Sequence, residues 1–329
     1  VKALVTGGGG FIGSHVARRL HKHGDKVTAL GRHRYPQLEK AGIQTVQVDL
    51  RDAEGVRRAS ANMDIVYHVG AIPGIWGKRQ EFRDINVGGT RNVLEACRAA
   101  GVRRLVFTST PSVVFGEEEL CGVDESQPYP SKYLAAYPMT KAIAERMVLE
   151  ANGPNLATVA LRPHLVWGPG DPNLIPRIIQ RAREGKLVQV GDGTNLVDIT
   201  YIDNATEAHV LAGDALSPGA PCAGRAYFIS QGEPVVLWSW INELLLALGV
   251  PTVGRTISHR KARWIGALFE LAHGVLGVSS EPRMTRFLAD QLARSHYFSI
   301  EAARRDLGYE PRVSTEEGLR RLVSSLEES

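Results

Sequence analysis

Residues 6–13 read TGGGGFIG, and this stretch decides the fold. A short apolar run at 2–6 leads into it, and a helical pattern at 14–23 leads out. Gly7, Gly10 and Gly13 stand at GxxGxxG spacing. Glycines in such a turn let the backbone bend sharply and approach a pyrophosphate, whose charge meets the amide groups at the helix N-terminus. A glycine pattern alone is weak evidence, but between a strand and a helix it predicts a dinucleotide-binding turn. Phe11 and Ile12, inside the turn, are expected beside the same cofactor.

Outward from the turn, apolar runs at 26–30, 44–48, 64–69, 104–108 and 157–161 read as strands. Helical patterns at 86–100 and 137–150 separate the later ones. Such alternation predicts an α/β chain, a Rossmann-type doubly wound parallel sheet covered on both faces. Beyond Pro163 the pattern loosens into a Gly/Pro-rich crossing at 167–176, helices at 204–216 and 237–248, a strand at 226–230 and a mostly helical tail at 260–328. Residues 1–165 are expected to form the nucleotide-binding domain, with returning segments near 202–230. Residues 166–201 and 231–329 are expected to form a smaller, mostly helical substrate lobe.

The second strand ends at Leu30 and is followed by Gly31, Arg32, His33 and Arg34. NAD-selective folds place an acid here to bond the adenosine ribose. A carboxylate would repel a 2′-phosphate, whereas a guanidinium binds it through charge-assisted bonds. The missing acid and the added cations predict NADP(H), held by Arg32 and Arg34. Asp49 and Leu50 end the third strand, where Asp49 can meet the adenine amino group; helix N-capping is the competing use of Asp49 or Asp52.

Tyr137 and Lys141 are four residues apart and so emerge on one helix face. An ammonium beside a phenol favours the phenolate, which makes the tyrosine a usable proton donor or acceptor. The fifth strand ends in Thr108, Ser109 and Thr110, followed by Ser112, and one of these hydroxyls can bond the substrate oxygen.

Bulk composition is that of an ordinary soluble globular chain, with 43% hydrophobic and 22% charged residues. The formal charge of +4 is spread among acids, with no basic stripe interleaved with aromatics, so nucleic acid is not expected as a partner. Cys97, Cys121 and Cys222 are far apart and make no CxxC pair, and the histidines make no HExxH. Neither a disulfide framework nor a metal site is expected. Val1 leads directly into a strand, so no signal peptide is expected. No apolar run reaches the roughly 18 residues that span a bilayer. A cytoplasmic location is expected.

TGxxGFIG, the TST stretch, YxxxK and Leu161-Arg162-Pro163 together resemble the extended short-chain dehydrogenase/reductase family over essentially the whole chain. The resemblance implies that Lys141 also holds the nicotinamide ribose and that Pro163, with Leu165, lies beside the carboxamide. It places Gly70, Ala71 and Thr108 along the cofactor and gives Thr110 the role of the family's substrate-contacting serine, with Ser112 in reserve. Asn86 matches the asparagine that opens the fourth helix. Gly70 departs from the family, which usually has alanine there. The resemblance further implies a homodimer packed through 86–100 and 137–150.

Two branches compete. Sugar-nucleotide epimerases and dehydratases carry an arginine for the substrate diphosphate where this chain has Val197. The stretches 195–201 and 137–142 instead resemble the 3β-hydroxysteroid dehydrogenase-like branch. Within it, residues 74–77, 109–113, 162–172 and 228–232 resemble a bacterial group that reduces long-chain 2-alkyl-3-oxo acids in olefin biosynthesis, which implies association with other enzymes of hydrocarbon biosynthesis. The expected substrate is therefore apolar and would meet Ile75, Trp76, Ser112, His164 and Trp167. His164, His296 and Lys78 are candidate donors to its carboxylate. A sterol 3-ketone is the alternative substrate. A non-catalytic NADP sensor is the remaining reading, against which stand the intact Tyr137 and Lys141. The stretch 260–278, with a basic head and an apolar body, is expected to line the pocket or the lobe's core, with a membrane surface as the other possibility.

Overall fold

A computed structural model describes residues 1–327 except 117 and 279. Its centre is a seven-stranded parallel sheet made of β1 (Lys2–Thr6), β2 (Lys26–Gly31), β3 (Gln44–Gln47), β4 (Ile65–His68), β5 (Arg104–Thr108), β6 (Ala157–Pro163) and β7 (Arg225–Ile229). Their order is β7-β6-β5-β4-β1-β2-β3. The chain thus winds one way from β1 to β3, then restarts beside β1 with β4. That reversal opens a crevice at the carboxyl ends of the strands, where open α/β sheets bind ligands.

The strands are apolar because both faces of the sheet are covered. Ala3, Val5, Val27, Ala29, Val159 and Leu161 pack on one side, and Leu4, Leu30, Val66, Leu105, Phe107 and Ala160 on the other. The first face is covered by α1 (Phe11–Lys22) and by Ala208 and Ala212 of a later helix (Ile202–Ala215). The second is covered by α2 (Ala53–Ser60), α3 (Gly89–Ala100) and α4 (Ala136–Glu150). Asp52 caps α2, accepting from Gly55 N at 3.0 Å. A π-helical turn, Arg83–Gly88, runs into α3 and carries Asn86; such turns concentrate at functional sites.

The second lobe has its own apolar core, with Trp167, Tyr201, Trp238, Trp240, Ile241 and Leu244 at its centre. It is built from α5 (Leu174–Arg183), α6 (the Ile202–Ala215 helix at its border), α7 (Leu237–Ala247), α8 (His259–Leu276), α9 (Arg286–Ala293) and strands of two to four residues. One segment departs from the sequence division. Helix α10 (Glu301–Leu307) and Tyr309 place Ile300, Ala303, Leu307 and the Tyr309 ring in the core on the sheet's first face. The last helix, α11 (Thr315–Glu327), returns to the second lobe, burying Leu322 there.

Helix α8 also departs from the expectation. Only Ala262 and Gly266 are fully buried along it, and Trp264, Leu268, Leu271 and Val275 face outward. The outer face of this stretch is therefore neither pocket lining nor core, and of its residues Ala262 is the one that joins the lobe's core. Among the described residues, no helix is long and apolar enough to cross a membrane.

Candidate active site

The glycine-rich turn is shaped by close approaches that leave no room for side chains. A Cβ on Gly13 would lie 2.2 Å from the Gly7 carbonyl oxygen, and one on Gly7 would lie 2.6 Å from Gly70 Cα. Gly7 also has φ +66°, a left-handed conformation that glycine adopts without cost. Gly70, the departure from the family's alanine, is a tight position: a Cβ there would sit 3.0 Å from Leu50 Cδ1 and 3.1 Å from Gly7 N. Thr6 completes the join, its Oγ1 accepting from Gly70 N at 3.1 Å and bonding His68 Nδ1 at 2.7 Å. Burial holds His68 down at about 3, so its ring is neutral and serves as a strut to Thr90.

Helix α1 begins after Gly10 with no side chain capping it. Its first amides therefore face a cleft of about 570 Å³ that crosses the carboxyl ends of the strands. Gly7, Gly10, Phe11, Ile12, Gly13, Arg32, Asp49, Leu50, Gly70, Ala71, Thr108, Lys141, Pro163 and Leu165 all line it. An open helix N-terminus above a glycine cradle that tolerates no Cβ fits a dinucleotide pyrophosphate.

At the adenine end, Arg34 does not join them. It is exposed and pairs with Glu39 at 3.6 Å, so the expected second cation points to solvent. Sequence reasoning passed over His33 and Tyr35, which do line the cleft. The Tyr35 ring lies over the turn, 1.8 Å from where a Cβ on Gly9 would be, and its hydroxyl is 2.1 Å from where one on Gly31 would be. Asp49 is held bidentately by Arg51 at 3.0 and 2.7 Å, which lowers its pKa. Asp52 takes the capping role, which leaves Asp49 at the cleft.

The reacting end is fixed by α4, whose Tyr137 and Lys141 both line the cleft. Desolvation pushes the Tyr137 phenol up to about 12, with the neighbouring Thr110 pulling it the other way. Lys141 Nζ donates to the Thr108 carbonyl at 2.6 Å and lies 4.0 Å from the Phe107 ring centroid. Burial lowers its pKa to about 7. The sequence expectation that the ammonium pulls the phenol down is corrected. Lys141 is spent on a backbone carbonyl, and the phenol's neighbour is Thr110. Thr110 Oγ1 also donates to Ser112 Oγ at 3.2 Å, so the two candidate hydroxyls form one chain. Thr108 contributes its carbonyl, its own hydroxyl being bonded to His209 at 2.8 Å.

Two supports hold the site from behind, Asn86, which the sequence singled out, and a Glu145–Arg162 pair, which it did not. Asn86 Oδ1 accepts from Ile72 N at 2.8 Å, while its Nδ2 donates to Ile72 O at 3.3 Å and to Thr140 Oγ1 at 3.1 Å. It therefore ties the loop after β4 to the residue preceding Lys141. Glu145, one turn beyond Lys141, is fully buried and grips Arg162 at 3.0 and 2.7 Å, with the Tyr129 hydroxyl donating at 2.6 Å. The i, i+4 spacing of Lys141 and Glu145, with an arginine inside an apolar strand, was the available signal. Leu165 is a strained element of the lining, with φ +39° for a branched residue.

The expected substrate residues divide. Ile75 packs against the cluster around Val113 and Phe115, and Ser112 lies beside Thr110. Trp76 turns toward α8, its Nε1 donating to the Val278 carbonyl at 3.3 Å. None of the five lines the cleft itself, and Trp167 and His164 are corrections because both are also buried away from it. Trp167 is fully buried among Tyr201 and Trp240. The His164 ring bonds His296 at 2.7 Å, and desolvation keeps both rings neutral, His296 near 4. Neither histidine can serve a substrate carboxylate. Val197 is buried in the second lobe's core, so the position expected to hold a diphosphate-binding cation is apolar and enclosed.

Residues 4–258 match the model of the 3-beta hydroxysteroid dehydrogenase/isomerase family. A 2-alkyl-3-oxoalkanoate reductase of Stenotrophomonas maltophilia is 52% identical, the match covering 99% of this chain and 99% of that one. Sterol-4-alpha-carboxylate 3-dehydrogenase, decarboxylating, of Mus musculus is 33% identical over 98% of this chain and 90% of its own. Among solved structures, MoeE5 in complex with UDP-glucose and NAD superimposes with TM-score 0.77 and 26% identity, covering 100% of this chain and 99% of that one.

Proposed function

The chain belongs to the 3-beta hydroxysteroid dehydrogenase/isomerase family and is an oxidoreductase acting on CH–OH groups with a nicotinamide dinucleotide, and on that premise we propose that it is an NADPH-dependent reductase of long-chain 2-alkyl-3-oxoalkanoates. The observation that carries the substrate is the 52% identity, end to end, with a reductase of that name. An enclosed, apolar Val197 argues against a nucleotide-sugar tail. The choice of NADPH rests on Arg32 in the cleft and on the absence of an acid at Gly31.

When bound, the cofactor supplies the hydride, and Gly7, Gly10, Gly13 and Lys141 are the residues that would hold it. The chain's own work is protonic. A phenol at about 12 stays protonated at neutral pH, which suits Tyr137 to donate to the oxygen of a ketone under reduction. Thr110 neighbours that phenol and, with Ser112, offers the second hydroxyl to the same oxygen. The Glu145–Arg162 pair fixes α4 against β6, so that the helix presents Tyr137 at a set depth. We further propose a cytoplasmic homodimer packed through α3 and α4, associating with other enzymes of hydrocarbon biosynthesis.

The test is a panel of 2-alkyl-3-oxo acids, 3-ketosteroids and UDP-sugars, followed by NADPH absorbance. Rates should be confined to the oxo acids and should rise with chain length, as each buried methylene contributes roughly 0.8 kcal/mol. Steroid-only or UDP-sugar-only turnover would overturn the substrate assignment.

A further inference from the structure

Helix α8 presents an apolar stripe that no other described residue covers. Trp264 is 66% exposed, Leu268 60%, Leu271 65% and Val275 77%. At 3.6 residues per turn these four fall within an arc of about 60°. A continuous stripe of tryptophan, leucine and valine in water is a contact surface, not ordinary surface scatter. The helix is held in place from behind: Ala262 and Gly266 are buried, and the backbone of Thr285 and Arg286 packs so closely that a Cβ on Gly266 would meet it at 2.6 Å. The opposite face also holds the charges, since His259 and Arg263 bond Asp290 and Glu270 is paired with Arg286. The stripe is therefore a rigid ledge.

Its flanks are basic. On the same helical projection, exposed Arg260 and Lys261 fall on either side of the stripe at its first turn. Glu270 is the only acid between residues 259 and 278, and it faces away. Apolar side chains of interfacial type with cations at their margin match an anionic bilayer, in which the side chains enter the acyl boundary and the cations stay among the headgroups. A second copy of the chain would set Arg260 and Lys261 of one ledge against another ledge that has no acid on that face. The ledge is also joined to the active-site cleft. Trp76 bonds Val278 just past the end of α8 and stacks edge-on against His273. Trp76 lies in the loop after β4, whose Gly70, Ala71, Ile72 and Pro73 line the cleft.

We propose that the outer face of α8 seats this protein on an anionic lipid bilayer and sets the Trp76 loop, and with it the cleft, at the membrane surface. The seating stands on the surface itself; the use of it to draw in alkyl-chain substrates rests on the function proposed above.

The experiment is flotation of the full-length protein with vesicles of phosphatidylcholine containing 30% phosphatidylglycerol, and with phosphatidylcholine alone. Binding is expected to the anionic vesicles, with Lys261→Ala weakening it about fivefold. The double change Leu268→Glu with Leu271→Glu should abolish flotation while leaving the melting temperature and NADPH affinity intact. Failure to float with anionic vesicles, or flotation unaffected by the double change, overturns the proposal. So does a dimer in solution that the double change dissociates without any vesicle binding, since the face would then belong to a second copy. Turnover of a short, water-soluble 2-alkyl-3-oxo acid is read in parallel. Vesicle binding without that turnover would remove the substrate assignment and keep the membrane contact; turnover without binding would do the reverse.

Discussion

Replacing Lys141 by methionine should inactivate the enzyme and make the cofactor-free protein more stable. The Lys141 side chain is 2% exposed, and burial lowers its pKa from 10.5 to about 7. The difference, 10.5 − 7, at 1.36 kcal/mol per pH unit, is a cost of about 5 kcal/mol to the folded state at and below pH 7. Methionine keeps the unbranched stem and removes the charge. It forfeits the bond to the Thr108 carbonyl, worth about 1.5–3 kcal/mol for a charged donor. The net gain is about 2–3.5 kcal/mol, on the order of 5 °C in Tm for a chain of this size. The sign with pH follows from proton counting. Between about 7 and 10.5 the unfolded wild-type chain holds a proton on Lys141 that the folded chain has released, so wild-type stability climbs with pH through that window. The methionine variant lacks this climb. Its advantage should be widest at and below pH 7 and should close as the pH nears 10.5. Melting both proteins by calorimetry from pH 6 to 10 reads this directly. A variant that melts at or below the wild type at pH 7, with a parallel pH curve, would refute the reasoning.

Tyr137→Phe should lower kcat by about 10²–10⁴-fold while NADPH affinity stays within about twofold, as read by single-turnover kinetics and fluorescence titration; near-normal turnover would hand the acid role to Ser112. Arg32→Ala should cut kcat/KM with NADPH by about tenfold or more and leave NADH unchanged, because only the 2′-phosphate loses a charge-assisted bond. An equal loss with both cofactors would move Arg32 out of the selection. Trp167→Ala should destabilise the fold by about 3–5 kcal/mol in denaturant titration while the folded enzyme keeps its substrate KM; a raised KM at unchanged stability would return Trp167 to the substrate wall.

The nucleotide-binding half was legible because its signals are local and periodic. The glycine spacing, the strand–helix alternation and the i, i+4 pair of Tyr137 and Lys141 each depend on a few neighbouring residues, and all three appear where the spacing puts them. What was not legible depended on partners distant in sequence. Arg34 and Arg32 are alike in a string, but Glu39 draws one out to solvent. Trp167 and Leu165 are both apolar residues after β6, yet Tyr201 and Trp240 enclose the first, while the second lines the cleft with a positive φ. The second lobe's strands, such as Leu196–Val197 and Val235–Val236, are too short to carry any period. Nor could spacing tell that Lys141 would bond a carbonyl of β5 instead of the phenol on its own helix.

The tyrosine lying over the glycine turn makes the route to a different cofactor preference depend on the order of changes. An aspartate or glutamate at position 31 is the change that would favour adenosine ribose hydroxyls over a 2′-phosphate. Any side chain there meets the Tyr35 hydroxyl at 2.1 Å, so that acid introduced first would displace the ring from its seat over Gly9. Shrinking residue 35 first opens the space but uncovers the turn. Neither single step is neutral, and a lineage or a library that changes one position at a time faces a valley between two workable pairs. Libraries aimed at this specificity should therefore vary positions 31, 32 and 35 together, and selection for NADH use should recover changes at 31 and 35 as linked pairs.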